Sequence, residues 1–238
     1  MWKLNIFENR EIAIGMAKIT WLGHAAFLLE AEGKRIAFDP WIEGNPKCPI
    51  SLKDFEGAHI YAVSHSHADH GLNDAIRLSK EKGGVIVGIF ELANYATEKG
   101  ARAVGANIGG FFDVEGVEIA LTEAVHSSDI GSPVGFLVRI GGRTFYYAGD
   151  TGLFGGMSLI GELYSPEVCM LPIGGYYTMD PVQASLAVKI LKSKVVAPMH
   201  WGTFPVLKGT PEALEEEIRK LGIQVRVLKL RPGEAVEI

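Results

Sequence analysis

The chain has 238 residues, 47% of them hydrophobic and 21% charged, with a net charge of −5 at neutral pH. That composition is ordinary for a soluble globular protein, and the length suits one large α/β or two-sheet domain with a substantial core. The mild acidity argues against a large nucleic-acid footprint, which needs clustered Lys and Arg.

No apolar run reaches the ~18 residues of a membrane span, and no N-terminal stretch reads as a signal peptide. The two cysteines, Cys48 and Cys169, are too few for a disulfide framework and fit a reducing cytoplasm. With a large nucleic-acid footprint and a membrane span both disfavoured, a small-molecule substrate stays open as the partner, and a homo-oligomer is compatible with the sequence.

Residues 1–15 read as an N-terminal extension of one domain covering 1–238, with no linker and no internal repeat. Short apolar, β-favouring stretches follow near 17–22, 25–31 and 34–39, punctuated by Gly23 and Gly33. A loop with Gly44, Pro46 and Pro49 leads to Ile60-Tyr61-Ala62-Val63 and then to the run Ser64-His65-Ser66-His67-Ala68-Asp69-His70. Gly71 eases the bend into a helix over 72–82, and strand and helix signals continue to about Gly100.

A series of strands then carries His126 and Asp150. A helix is expected near 158–164, and a strand near 167–171. Asp180-Pro181-Val182-Gln183 starts a helix, with an acid at the N-cap and Pro at the first position. Val195 to Met199 leads into His200. Thr210-Pro211 opens the last helix, ending before Gly222, and two strands close the chain.

The run at 65–70 places three of the seven histidines and one carboxylate in six positions. Imidazole and carboxylate are metal ligands at neutral pH. In extended chain His65 and His67 project to the same side and can share one ion, whereas the turn after them aims Asp69 and His70 at a second point. An internal run framed by strand and helix is unlike a terminal tag.

His126, Asp150, His200 and Asp39 each follow a β-favouring segment as well. Strand ends converge along one sheet edge, where open α/β sheets bind ligands. His59, by contrast, reads as an ordinary surface histidine.

His-x-His-x-Asp-His followed by His126, Asp150 and His200, with Asp39 ahead of them at a strand end, resembles the metallo-β-lactamase superfamily. Trp21-Leu22-Gly23-His24-Ala25, Phe38-Asp39-Pro40-Trp41, Pro172-Ile173-Gly174-Gly175 and Pro198-Met199-His200-Trp201-Gly202-Thr203-Phe204-Pro205 resemble its small metal-dependent hydrolase branch, which includes relatives of ascorbate-phosphate lactonase.

The resemblance implies a four-layer αβ/βα sandwich, two mixed β-sheets face to face with helices outside and a pseudo-twofold between the halves. It assigns His65, His67 and His126 to a first metal, and Asp69, His70 and His200 to a second. Asp150 bridges the two, and Asp39 supports the loop from behind the ligands.

Two divalent ions roughly 3.5–4 Å apart can hold a bridging water, lower its pKa toward neutrality and polarise an electrophile. The expected activity is therefore hydrolysis, with Asp69 orienting the hydroxide and His24 hydrogen-bonding to substrate or to a liganding carboxylate. Zinc leads among the metals, with manganese, nickel and iron as alternatives.

A small phosphoester or phosphodiester is the favoured substrate, and a sugar lactone comes second. Tyr176, Tyr177, Trp41, Trp201 and Phe204 are candidate pocket walls. A flavodiiron-like oxidoreductase is the rival of another class, but that branch resembles this pattern with Glu where His67 stands. A non-catalytic scaffold relative would be expected to lack ligands, and all seven are present.

Overall fold

The computed structural model describes residues 15–238, so the extension expected over 1–15 lies, apart from Gly15, outside the described residues. Fourteen strands and five α-helices alternate along the described chain. β1 (Ala17–Gly23), β2 (Ala26–Ala31), β3 (Lys34–Phe38) and β4 (Ile60–Ala62) lead to α1 (Leu72–Lys82). β5 (Val85–Ile89), α2 (Phe90–Glu98) and β6 (Ala103–Ala106) complete the first half.

β7 (Phe112–Val114), β8 (Val117–Glu123), β9 (Val134–Ile140) and β10 (Arg143–Tyr147) precede α3 (Met157–Tyr164). β11 (Val168–Pro172), α4 (Pro181–Leu191), β12 (Val195–Met199), α5 (Pro211–Lys220), β13 (Arg226–Val227) and β14 (Ala235–Glu237) follow. The expected helix starts are built as read. Asp180 accepts the Gln183 N–H at 2.8 Å and Thr210 accepts the Ala213 N–H at 3.2 Å, each satisfying a donor that the helix itself leaves free.

The strands form two mixed seven-stranded sheets, ordered β14-β1-β2-β3-β4-β5-β6 and β13-β12-β11-β10-β9-β8-β7. Read from β14 and from β7, the pairings run in the same order: three antiparallel, then three parallel. The pseudo-twofold is thus present in topology, with β3 equivalent to β10 and β1 to β8. The segment after β3 begins with Asp39 and that after β10 carries Asp150. Those after β1 and β8 carry His24 and His126.

Alternation along the strands divides the side chains between two apolar layers. Phe145, Tyr147 and Met170 face Phe27, Phe38 and Ile36 of the other sheet, forming the core between the sheets. Tyr146, Cys169 and Leu171 point outward beneath Met157, Val188 and Leu214 of α3, α4 and α5. Burying each such side chain is worth about 1.5–3 kcal/mol, which fixes strand register and hence the position of every strand end.

Candidate metal centre

Because β1 and β3 run parallel to β4, and β8 and β10 parallel to β11 and β12, their carboxyl ends share one edge. The backbone at these ends is bent sharply. His24, Asp39 and His200 all adopt left-handed φ values, 54°, 38° and 54°. Such strain costs about 1–3 kcal/mol per residue and persists only where packing enforces it.

Gly71 supplies the turn after the histidine loop, with φ 70°. A Cβ there would stand 2.3 Å from the Pro40 carbonyl carbon and the Trp41 nitrogen, so only glycine lets the helix start pack on the Asp39 turn. The two sheets are joined at the site itself, where the His200 N–H donates to the His24 carbonyl at 3.0 Å.

All nine residues singled out in the sequence meet at this edge. His65, His67 and His126 offer ligand atoms within 4.8 Å of one another, and so do His24, Asp69, His70 and His200. Asp150 stands between the groups. Its Oδ2 lies 3.5 Å from His126 Nε2 in one, and 3.3 and 3.0 Å from His70 and His200 Nε2 in the other.

Behind them, Asp39 is fully buried and acts as a hub. Its Oδ1 accepts the Ser64 N–H at 2.7 Å. Its Oδ2 accepts the Ser64 hydroxyl at 2.5 Å, and His70 Nδ1–H and the Tyr147 hydroxyl at 2.6 Å each.

These bonds determine the histidine tautomers. His70 donates its Nδ1 proton to Asp39, leaving Nε2 as the atom aimed at Asp150. Ser64 spends its proton on Asp39, so its oxygen accepts His65 Nδ1–H at 2.9 Å and His65 Nε2 is left to face His67 Nδ1 at 2.9 Å. Ligating histidines characteristically have the other ring nitrogen held this way. His200 departs from the pattern, since its Nδ1 is buried without a partner.

Sequence reading missed Ser64, Tyr147 and Thr203. Only Tyr147 left a signal: alternation turns it into the apolar core, where a tyrosine hydroxyl needs an acceptor.

His24 is held on both sides. Its Nε2 lies 3.2 Å from Asp69 Oδ2 and its Nδ1 3.0 Å from the Thr203 hydroxyl. A carboxylate only accepts, so Nε2 carries the proton to Asp69 and Nδ1 accepts from Thr203. Of the two contacts foreseen for His24, the structure has the one to a carboxylate, and the ring is fully buried.

Burial pushes His24 down to about 4, against the raising effect of Asp69. Burial and the charge of His70 likewise hold His65 well below the usual histidine range. For His70 burial is outweighed by Asp150 and Asp39, which raise it. Burial favours neutral forms of Asp69 and Asp150 too. The His24 hydrogen bond and the His70 charge instead keep Asp69 low, and the charges of His70 and His200 keep Asp150 low.

The donor set fits divalent cations. His70 Nε2 and Asp150 Oδ1 are buried with no hydrogen-bond partner, a costly arrangement unless another group completes it. Imidazole-rich groups joined by a carboxylate suit zinc and other first-row ions.

The edge opens into a cleft of about 530 Å³ whose floor includes His67, Asp69, His126, Asp150 and His200. Its wall includes Tyr177, Phe204, Pro205 and Val206. Of the aromatic candidates, Tyr177 and Phe204 line it. Trp201 instead stacks on Trp21 at 5.2 Å, Trp41 backs His24 and Phe204, and Tyr176 lies edge-on to Tyr177 outside the lining.

Residues 18–200 match the model of the β-lactamase superfamily domain. With this sandwich and edge, the chain belongs to the metallo-β-lactamase superfamily, and within it to the small branch of UPF0173 metal-dependent hydrolases. A protein of that name from Korarchaeum cryptofilum is 52% identical over 223 residues, covering 94% of this chain and all of the relative. Another from Methanosarcina mazei is 45% identical over 230 residues, covering 93% and 98%. A solved metallo hydrolase from Ignicoccus hospitalis superposes with a TM-score of 0.88 at 41% identity, covering 94% of this chain and 98% of its own. Among the described residues no helix is long and apolar enough to cross a membrane.

Proposed function

We propose that this cleft hydrolyses a small ester-type substrate with the aid of two divalent cations. The observation that carries the reading is the meeting of two ligand-type groups on Asp150, built from strand ends of both sheets. His65, His67 and His126 would hold one cation, Asp69, His70 and His200 the other, with Asp150 between them. When bound, such ions lower the pKa of water and polarise the bond to be broken.

The protein's own part is positioning. Asp69, low in pKa and open to the cleft, accepts a hydrogen bond from the attacking water and orients it. His24 and Thr203 fix that carboxylate, while Asp39 and Ser64 fix the rings of His70 and His65. We retain zinc as first choice, with manganese, nickel or iron as alternatives. His67 in place of the flavodiiron-like Glu favours hydrolysis over redox chemistry, and the full ligand set disfavours an inert scaffold.

Of the two substrate classes expected, a phosphoester or phosphodiester and a lactone, both need the same activated water. No Lys or Arg is among the cleft's described lining residues, so a phosphate held away from the cations would lack a charged partner. We read the chain as one domain, since both sheets feed a single cleft, and as cytoplasmic, since its two cysteines are free. The test is His67→Ala, which should abolish hydrolysis of p-nitrophenyl acetate and bis(p-nitrophenyl) phosphate while the protein stays soluble. Full activity in that variant would overturn the reading.

A further inference from the structure

We infer that the substrate is an uncharged carboxylic ester or lactone carrying an apolar arm of several carbons, which lies along the wall formed by Tyr177, Phe204, Pro205 and Val206. The inference rests on the hydrolytic reading above and promotes the second of its two substrate classes over the first.

Three observations carry it. First, the wall is apolar and accessible: Tyr177 and Val206 are 54% and 39% exposed where the cleft opens. Large apolar side chains gathered at a cleft mark a binding surface more often than isolated ones do.

Second, the described lining offers no fixed positive charge. A phosphate at the reacting centre could use the cations there, but one displaced from it, as on a phosphorylated sugar, would need its own Lys or Arg. An uncharged arm needs none.

Third, the wall is held in place before anything binds. The loop after β11 and the loop after β12 are bonded together, with Lys208 and Gly209 N–H donating to the Gly174 carbonyl at 2.9 and 3.2 Å. Gly174 must be glycine for this, since a Cβ would stand 2.1 Å from the His200 carbonyl oxygen. Tyr176 takes a left-handed φ of 65° in the same loop, a conformation a bulky residue adopts only under constraint. A rigid apolar surface loses little entropy when it receives a chain.

In the reaction, the water oxygen bonds to the acyl carbon and the bond from that carbon to the ester oxygen breaks. One water proton goes to the departing alkoxide and the other is released with the carboxylate product.

The test is a series of p-nitrophenyl esters from acetate to octanoate, beside p-nitrophenyl phosphate and bis(p-nitrophenyl) phosphate, all with metal-loaded protein. Burying a methylene is worth up to about fourfold in affinity, so kcat/KM should rise about two- to fourfold per methylene, mainly through KM. Val206→Asp and Phe204→Ala should flatten that slope.

As a readout independent of turnover, octanoate should bind with a negative heat-capacity change in titration calorimetry, and acetate should not. Activity without chain-length dependence, or a preference for either phosphate, overturns this inference and leaves hydrolysis standing. Failure to hydrolyse any of the substrates overturns the functional reading and the inference together.

Discussion

Replacing Asp39 by Asn probes whether the buried hub sets the geometry of the candidate metal centre. The side chain keeps its size but loses one acceptor, and the surroundings leave no good orientation for the amide. With the carbonyl oxygen at the Oδ2 position, Ser64, His70 and Tyr147 keep their acceptor, but the new NH₂ then faces the Ser64 N–H from 2.7 Å. The flipped orientation sets the NH₂ against three donors and is worse.

The better orientation still forfeits one charge-assisted hydrogen bond in a fully buried position and leaves a donor unsatisfied, about 2–3 kcal/mol. For a chain of this size that lowers Tm by about 5–10 °C. His70 also loses a charged partner behind its ring, so zinc affinity should fall about 10- to 100-fold. Thermal unfolding of chelator-treated protein measures the first effect and competition with a chromophoric chelator the second. An Asp39→Asn protein with unchanged Tm and unchanged zinc affinity would refute the hub.

Two further outcomes follow from the same geometry. Gly71→Ala should cost more than about 3 kcal/mol, seen as a Tm lowered by at least roughly 6 °C, because the methyl group meets backbone atoms of Pro40 and Trp41. Gly222→Ala, also at positive φ but with open space around it, should cost about 1 kcal/mol; equal losses would dismiss the packing explanation.

Chelator-treated protein should lose stability between about pH 6.5 and pH 4. His24, pushed down to about 4, stays neutral in the folded chain through this window while the unfolded chain takes up the proton, about 3 kcal/mol for this residue alone. His65 acts in the same sense. His70, raised in the fold, has the opposite sign, but its contribution is already complete below about pH 6.5 and is lost only on going alkaline. Urea midpoints at pH 6.5 and 4.5 report the change, and a midpoint that holds or rises on acidification would contradict it.

The parts of the site visible in the sequence are those encoded locally. A histidine run after a strand, and four other strand ends finishing in His or Asp, are properties of single segments, and so are the caps at Asp180 and Thr210. Asp39, Ser64 and Tyr147 form their hub across two sheets and 108 positions of chain, so no spacing announces it. Thr203 acts through His24 over a separation of 179 residues in the same way.

The pocket aromatics were only partly legible. Trp201 and Phe204 follow the same strand, yet one turns back into the core against Trp21 and the other lines the cleft. The pseudo-twofold leaves no repeat in the residues because topology constrains only which positions are apolar. Its trace lies in the candidate metal centre: Asp39 and Asp150 occupy equivalent segments, one behind the ligand-type residues and one among them.

The most direct test of the account is the metal content of protein purified without chelator, measured by elemental analysis beside Asp150→Asn. The account predicts about two divalent ions per wild-type chain, and a clear loss when the carboxylate that both groups share is removed. A wild-type value near zero, or two ions retained by Asp150→Asn, would contradict the claim that these strand ends together form one dinuclear centre.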